Sequence, residues 1–336
     1  MKFGMIGNGS WATALAKILT DNGNHINWWV RNQATIDTLK TRRHNPHYLH
    51  AAYFDPSMFS LSTDINEVVK NSDVLVMATP SAYAESALQQ LSKNAFENKK
   101  IISAIKGILP TKNQILNDYL LENFNFNIEN YFTVLGPCHA EEVASEKLSY
   151  LTFSGNDEKV AKELATYFKT PYLNTITNHD VLGVQYAAIL KNIYALGAGI
   201  AHGLEYGDNF LSVYIANTAD EMVRFCKKLV WDLETLEEQK NINYAASVYL
   251  GDLLVTCYSL YSRNRMFGNM IGKGYSVKAA QLELNMVAEG YNASKCVFIK
   301  NQEVQANMPI SKIIYDILWN NLSAEEGFKQ IENILI

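Results

Sequence analysis

The sequence contains few cysteines, and they are far apart. Its four cysteines, Cys138, Cys226, Cys257 and Cys296, form no CxxC pair. This spacing indicates neither a disulfide framework nor a zinc site. We therefore expect reduced thiols in an intracellular protein, with no bound metal.

Long apolar segments are also absent. The longest stretch, residues 186–201, contains Lys191 and Asn192 and is shorter than the ~20 residues of a membrane-spanning helix. No basic segment followed by an apolar run opens the sequence, which predicts no signal peptide. These absences favour a soluble, cytoplasmic protein without a membrane span.

An excess of basic residues is lacking as well. The 336 residues include 29 Lys and Arg against 34 Asp and Glu, a net charge of −5. A protein that binds nucleic acid without sequence specificity needs a basic surface, so we expect no nucleic-acid partner. Hydrophobic residues make up 48% of the chain, which excludes a disordered protein. This content suffices for two domains of roughly 100–200 residues each.

The first half of the sequence alternates short apolar runs with helical patterns. Helical spacing covers residues 12–22 and 82–91, among others. Strands that alternate with helices predict an α/β fold with a Rossmann-type, doubly wound parallel sheet. The predicted strands are residues 2–6, 26–30, 74–78, 101–105 and 131–135, with 149–154 as a further strand near an edge.

After about His179 the strand patterns nearly vanish. We therefore predict a dinucleotide-binding domain at residues 1–178 and an all-α C-terminal substrate domain at residues 179–336. No Gly/Ser-rich linker separates them, so we expect closely packed domains with a ligand cleft between them. The long predicted helices are residues 181–203, 209–229, 244–260 and 277–300.

The first predicted strand runs into a glycine motif. Gly7, Gly9 and Ala12 form a G-x-G-x-x-A pattern between a strand and a helix. The first glycine permits a tight turn, the second lets a pyrophosphate approach the backbone, and the alanine allows close helix packing. The helix N-terminus supplies amide donors. The motif predicts dinucleotide binding, with a mere tight turn as the alternative.

The second predicted strand ends beside Arg31. NAD-specific folds usually have an acidic residue there, which binds the ribose 2′-hydroxyl. An arginine can instead pair with a 2′-phosphate. This favours NADP, or the use of both NADP and NAD. A solvated arginine that stacks on the adenine is the alternative.

Further candidates follow the later strands. Lys106 comes directly after residues 101–105, and Gly136 and Cys138 come after residues 131–135. Open α/β sheets bind ligands beyond the carboxyl ends of their strands. Lys106 could therefore hold a hydroxyl, carbonyl or phosphate group of a substrate, or be an ordinary surface lysine.

Lys191 interrupts an apolar predicted helix. Ala187, Ala188 and Ala195 lie on its helical face and leave room for a ligand beside the amine. Burial or a second lysine would lower the pKa of Lys191 toward neutrality, which suits proton exchange with an alcohol or ketone oxygen. A lysine that extends past the alanines to solvent is the alternative.

A polar cluster follows the third long predicted helix. Ser262, Arg263 and Asn264 have the side chains to bind phosphate oxygens. Asp252, earlier in the chain, could orient Lys191 or a substrate hydroxyl. A capped helix end with solvated arginines is the alternative.

Two other patterns indicate no site. Residues 268–274 contain three glycines and a lysine but lack the spacing of a phosphate-binding Walker loop. His44, His47 and His50 are evenly spaced around Pro46. Without an acidic partner, this spacing fits a loop better than a metal site.

Together these residues suggest a dehydrogenase for a small phosphorylated alcohol. Six segments carry a closer likeness, in this order: GNGSWATALA, AIKGIL, GPCHAEEV, GVQYAAILKNIYALGAGIAHGL, GDLLVTCYSLYSRNRMFG and VAEGYNASK. They resemble the bacterial NAD(P)-dependent sn-glycerol-3-phosphate dehydrogenase family over nearly the whole chain. The resemblance implies a homodimer that reversibly reduces dihydroxyacetone phosphate to sn-glycerol 3-phosphate for glycerophospholipid synthesis.

The resemblance also implies roles for individual residues, with Lys191 as the catalytic proton donor and acceptor. The implied substrate contacts are Lys106, Gly136, Cys138, Lys191, Asp252, Ser262, Arg263 and Asn264. Together with Gly7 and Gly9 of the motif, the implied cofactor contacts are Ser10, Trp11, Arg31, Lys106, Ala140, Arg263, Val287 and Glu289.

Some residues depart from the family's pattern. Cys138 stands where the family usually has Ser or Thr, and a thiol is a weaker hydrogen-bond donor. Ala12 replaces a glycine, which is a conservative change. Two alternatives stay open. The Ser-Arg-Asn cluster disfavours a hydroxyacid dehydrogenase of the 6-phosphogluconate type, and Lys191 with Lys106 disfavours a non-catalytic nucleotide-binding sensor.

Overall fold

The computed structural model describes residues 1–231, 242–284 and 288–336. The chain divides into two compact units. The first comprises Met1–Ile105 and Gln114–Val181, and the second comprises Lys106–Asn113 and Leu182–Ile336. Residues 106–113 thus belong with the helical part of the chain, where the Asn192 side-chain amide donates a 2.9 Å hydrogen bond to the Lys106 carbonyl.

An eight-stranded sheet forms the centre of the first unit, in the order β3-β2-β1-β4-β5-β6-β7-β8. Every residue of β1, β4 and β6 is buried, as expected when helices cover both faces of a sheet. The strands are β1 (Phe3–Ile6), β2 (Ile26–Trp29), β3 (Phe59–Ser62), β4 (Val74–Met77), β5 (Lys100–Ser103), β6 (Tyr131–Leu135), β7 (Ser149–Gly155) and β8 (Leu173–Asn178).

Helices connect these strands. The α-helices of the first unit are α1 (Ser10–Asp21), α2 (Gln33–Arg42), α3 (Ile65–Lys70), α4 (Ser81–Leu88), α5 (Leu116–Phe124), α6 (Ala140–Ala144) and α7 (Glu158–Thr166). Six of the seven strand pairings are parallel. β6 and β7 are antiparallel, so the sheet is mostly parallel with one antiparallel pair. The connection between these two strands contains the five-residue helix α6 and turns the chain back.

Two strands, β3 and β8, were not predicted, and they lie at the two edges of the sheet. Phe59 is the only buried residue of β3, and Leu173 is the only buried residue of β8. Because an edge strand of this kind has no continuous apolar run, its pattern is hard to distinguish from a loop.

All the regular elements among the described residues of the second unit are helices. By length and composition α8 (Val181–Gly203) could cross a membrane, but 89% of its most apolar window is buried inside the protein. It is the core helix of this unit. The other α-helices are α9 (Asp208–Trp231), α10 (Asp252–Tyr258), α11 (Arg263–Gly272), α12 (Val277–Leu284), α13 (Glu289–Val304), α14 (Pro309–Trp319) and α15 (Ala324–Glu332).

Two of the predicted long helices are wrong as continuous elements. Instead of one helix over 244–260, a π-helical turn at Ser247–Gly251 precedes α10. The predicted helix 277–300 ends at Leu284, and α13 begins only after Ala288, whose backbone is extended (φ −92°, ψ 99°). Apolar spacing continues across both breaks, which is why the sequence pattern does not reveal them.

Glycines allow the backbones of α8 and α11 to contact each other directly. A Cβ atom added to Gly268 would overlap the carbonyl oxygen of Leu196, and one added to Gly272 would overlap that of Ile200. Gly268 and Gly272 therefore serve helix packing, which only a residue without a side chain permits at this distance. The contact holds the middle and the end of α11 close to α8.

Candidate active site

The glycine loop connects β1 to α1 in the first unit. Gly7 has a φ of +123°, and a Cβ atom there would lie 2.8 Å from the Ala78 carbonyl oxygen, so the position requires glycine. A Cβ atom at Gly9 would meet nothing within 4 Å. The backbone at Gly9 therefore faces open space, which another side chain would occupy.

Helix α1 begins at Ser10, beside that space. Its N-cap, Gly9, provides no side-chain hydrogen bond, and its first turn contains no acidic residue. The amide groups and the positive end of the helix dipole are thus not neutralised by a side-chain cap. A glycine backbone open to a ligand and an uncapped helix start fit the pyrophosphate of a dinucleotide.

Arg31 follows β2 and is exposed. Its guanidinium carbon lies 5.9 Å from the centroid of the Tyr83 ring, which is in the first turn of α4. Tyr83 was not among the predicted site residues. Its position just after Thr79 and Pro80, which follow β4, is the signal that could have identified it. An arginine after β2 and an aromatic ring after β4 can both stack on a planar base.

Gly136, Cys138 and Ala140 follow β6. Gly136 has a φ of +143°, and a Cβ atom there would lie 2.8 Å from the Tyr150 carbonyl oxygen. This position, like Gly7, requires glycine. Cys138 is buried, and Ala140 is the first residue of α6.

Lys191 and Asp252 form a buried ion pair in the second unit. Lys191 is 3% exposed and Asp252 is 1% exposed, and the lysine amine donates a hydrogen bond to Asp252 Oδ1. The other carboxylate oxygen, Oδ2, is buried and has no hydrogen-bond partner among the described residues. A buried carboxylate oxygen without a donor is unfavourable, so the site fits a ligand that supplies one.

Local structure explains the position of this pair. Ala187, Ala188 and Ala195 surround Lys191 on α8 and are all buried, in agreement with the predicted small-residue face. Asp252 begins α10 directly after the π-helical turn at Ser247–Gly251. Such turns are rare and are often found at functional sites.

Burial changes the proton affinity of the lysine. Burial is the largest cause and lowers the pKa of Lys191, Asp252 raises it, and the nearby Lys106 amine lowers it; together these effects place the pKa at about 8. An amine with a pKa near neutrality can both donate and accept a proton under physiological conditions. The predicted proximity of Lys106, Lys191 and Asp252 is therefore present within this unit.

A chain of three amide hydrogen bonds, each 2.9 Å long, leads to Lys106. The Gly290 N–H donates to Asn264 Oδ1, and Asn264 Nδ2 donates to Asn192 Oδ1. Asn192 Nδ2 in turn donates to the Lys106 carbonyl oxygen. Asn192 and Gly290 were not predicted as site residues. A polar residue directly after Lys191 in an apolar helix was the available signal for Asn192.

The remaining predicted residues of this unit lie at helix starts. Ser262 is the N-cap of α11, and its Oγ accepts a 3.3 Å hydrogen bond from the Arg265 N–H. Arg263 begins α11 and Glu289 begins α13, and both are half-buried. The predicted cofactor residue Val287 lies outside the described residues.

The histidines and cysteines are not grouped as metal ligands among the described residues. His44 Nδ1 lies 3.1 Å from the Asn45 carbonyl oxygen, and His50 Nε2 lies 3.1 Å from that of Pro46. Within the described ranges, no cluster of three or more His, Cys, Asp or Glu side chains is arranged to hold a metal ion. All four cysteines lie within the described residues, are buried and form no disulfide.

A doubly wound sheet with this glycine loop, in a chain that also contains a buried lysine–carboxylate pair, is typical of dehydrogenases that use a dinucleotide cofactor. Comparison with known families specifies the class further. The chain belongs to the NAD-dependent glycerol-3-phosphate dehydrogenase family, whose N-terminal sequence profile matches residues 2–161 and whose C-terminal profile matches residues 180–329. The predicted family is confirmed.

Individual relatives support the same assignment. The chain is 31% identical over 334 residues to "Glycerol-3-phosphate dehydrogenase [NAD(P)+]" of Macrococcus caseolyticus, covering 99% of this chain and 98% of that protein. It is 30% identical over 331 residues to the Enterococcus faecalis protein of the same name, covering 98% and 95%. The crystal structure of glycerol-3-phosphate dehydrogenase from Coxiella burnetii has a TM-score of 0.87 at 24% identity, covering 98% of each chain. The predicted fold class is confirmed.

Proposed function

We propose that this protein catalyses the reversible, NAD(P)-dependent interconversion of dihydroxyacetone phosphate and sn-glycerol 3-phosphate. The family and the names of its relatives support this activity. The single observation in the structure that carries the proposal is the buried Lys191–Asp252 pair with an unpartnered carboxylate oxygen. It provides a proton donor and a hydroxyl acceptor side by side.

The first unit holds the cofactor. When bound, the nicotinamide supplies the hydride to the carbonyl carbon or accepts it from the alcohol. Gly7, Gly9, Ser10 and Trp11 bind the dinucleotide phosphates through the glycine loop and the start of α1. Arg31 pairs with a 2′-phosphate, which makes NADP the preferred cofactor.

Lys191 exchanges the proton. In the direction of reduction its ammonium group protonates the carbonyl oxygen as negative charge develops there. In the direction of oxidation the neutral amine accepts the proton from the hydroxyl. Asp252 Oδ1 holds the amine in place, and Oδ2 accepts a hydrogen bond from a substrate hydroxyl. Lys106 adds a second cation that stabilises the developing oxyanion.

The start of α11 binds the phosphate group of the substrate. Arg263 offers a guanidinium group that can donate two parallel hydrogen bonds to phosphate oxygens. Asn264 Nδ2 donates one of its two hydrogens to Asn192 Oδ1, and the other can bind a phosphate oxygen. Ser262 accepts the Arg265 N–H, and its own hydroxyl proton can point to a ligand.

Other assignments belong to the same proposal. Gly136 and Cys138 contact the substrate, and Ala140, Arg263, Val287 and Glu289 contact the cofactor together with Lys106. We further propose a cytoplasmic homodimer whose product enters glycerophospholipid synthesis. The relatives' names support the reaction, and the resemblance of the sequence motifs supports these finer assignments.

A spectrophotometric assay with dihydroxyacetone phosphate tests the proposal. We expect the protein to consume NADPH, and NADH less efficiently, and to form sn-glycerol 3-phosphate. Consumption of neither cofactor would contradict the proposal. Turnover of a hydroxyacid without turnover of dihydroxyacetone phosphate would indicate a dehydrogenase of the 6-phosphogluconate type.

A further inference from the structure

Three successive carbonyl groups of the glycine loop each accept a hydrogen bond from a side chain. Trp28 Nε1 donates to the Gly7 oxygen (2.7 Å), and Thr13 Oγ1 donates to the Gly9 oxygen (2.9 Å). Between them, Asn45 Nδ2 donates to the Asn8 oxygen (3.1 Å). The three donors come from β2, from α1 and from the segment after α2.

Asn45 connects two of these interactions. It is fully buried, and its amide nitrogen also donates a 2.9 Å hydrogen bond to Thr13 Oγ1. Thr13 therefore accepts from Asn45 and donates to Gly9 through the same oxygen. The Asn45 Oδ1 atom accepts the His47 N–H at 3.0 Å, so every hydrogen-bonding atom of this side-chain amide has a partner.

These hydrogen bonds determine where the amide groups of the loop point. In a planar trans peptide the C=O and the N–H point in opposite directions. Because buried side chains hold the carbonyls of Gly7, Asn8 and Gly9, the N–H groups of the three following residues face the opposite way. A loop fixed in this arrangement loses less conformational freedom when it binds phosphate.

We infer that Asn45 is a positioning residue for the dinucleotide cofactor and acts through Thr13 and the glycine loop. The inference rests on the proposed function in one respect, namely that this loop binds NAD(P). Asn45 contacts only the protein in this role, so it orders the loop before the cofactor arrives. Its segment lies more than 30 residues after the loop in the sequence, which is why the glycine motif does not include it.

Asn45→Asp, Thr13→Val and Thr13→Ser test the inference. Asn45→Asp keeps the size of the side chain but removes both amide donors, and Thr13→Val keeps the shape but removes the hydroxyl. Thr13→Ser keeps the hydroxyl. Asn24→Ala is the matched control, because Asn24 donates to the Leu19 and Tyr167 carbonyls and none of its hydrogen bonds is to the glycine loop.

Two readouts apply: the Kd for NADPH and NADH by calorimetry, and amide hydrogen exchange of residues 8–10 in the cofactor-free protein. We expect Asn45→Asp and Thr13→Val to raise the Kd at least about tenfold and to accelerate the exchange. Thr13→Ser and Asn24→Ala should stay close to the unmodified protein in both. In the kinetics, the KM for the cofactor should rise more than kcat falls.

Unchanged Kd and unchanged exchange in Asn45→Asp or Thr13→Val would overturn the inference. If Asn45→Asp does not fold, Thr13→Val with Thr13→Ser decides alone. A failure of the proposed function gives a different result, because the unmodified protein would then bind neither NADPH nor NADH.

Discussion

The glycine loop of the first unit and the lysine pair of the second unit contrast in how they offer chemistry to a ligand. The loop offers backbone amides, and uncharged side chains from β2, from α1 and from the segment after α2 donate hydrogen bonds to its carbonyl groups. The lysine pair offers charged side chains that are almost completely buried. The loop therefore depends on conformation, whereas the pair depends on the balance between burial and charge.

This difference predicts different consequences of mutation. A change in the loop should weaken cofactor binding through geometry, and a change in the pair should reduce the chemical step. Variants that lower cofactor affinity and turnover equally would contradict this division of roles, and variants that change only one of the two would support it.

Lys191→Ala should have the largest effect on turnover. General acid–base catalysis contributes about 10²–10⁴-fold, so kcat should fall by roughly that factor while the protein still binds NADPH. Steady-state kinetics with dihydroxyacetone phosphate, together with calorimetric NADPH binding, would measure both. Lys273→Ala, which removes an exposed lysine of the same unit, should retain near-normal kcat. Near-normal turnover of Lys191→Ala would exclude its proposed role.

Gly7→Ala and Gly9→Ala should separate stability from binding. Gly7→Ala forces a non-glycine residue to a φ of +123° beside the Ala78 carbonyl, which costs about 1–3 kcal/mol of stability. Gly9→Ala adds a methyl group in open space, so it should leave stability unchanged and weaken NADPH binding about tenfold or more by occupying the cofactor's space.

Urea unfolding and calorimetric titration measure these two quantities for each variant. A large loss of stability in Gly9→Ala, or tight NADPH binding by it, would show that the open space beside Gly9 is not the phosphate site.

Arg31→Ala should have the smallest effect. Arg31 is exposed, so its interaction with a 2′-phosphate is partly screened by solvent and salt. We expect the KM for NADPH to rise several-fold, which corresponds to a free energy on the order of 1 kcal/mol. The KM for NADH should change little. Equal effects on the two cofactors would indicate that Arg31 stacks on the adenine instead of binding phosphate.

In both regions the sequence predicts the residues that would contact a ligand better than it predicts the residues that hold them in place. Lys191 was identifiable because a charge interrupts an apolar helix. Gly7 was identifiable because it begins a G-x-G-x-x-A pattern directly after a strand. Asn45 was not, because its contact with the loop exists only after the chain folds. The same holds for Gly290, whose N–H reaches Asn264 across the helical unit.

The fold shows the same division. The central strands β1, β4 and β6 were predicted because they are apolar throughout, whereas the edge strands β3 and β8 each bury one residue. The break before α13 was missed because the apolar spacing of the sequence continues on both sides of the extended Ala288. Local patterns thus report burial, and they do not report the backbone conformations that tertiary contacts impose.

The most direct test of the central claim is the pH dependence of kcat/KM in both directions of the reaction. Reduction begins with protonated Lys191, so its kcat/KM should fall as pH rises through about 8, the pKa of this amine between Asp252 and Lys106 in its buried position. Oxidation begins with the neutral amine, so its kcat/KM should rise through the same pH. Profiles that move together, or that show no inflection near pH 8, would contradict the account of Lys191 as the group that exchanges the proton.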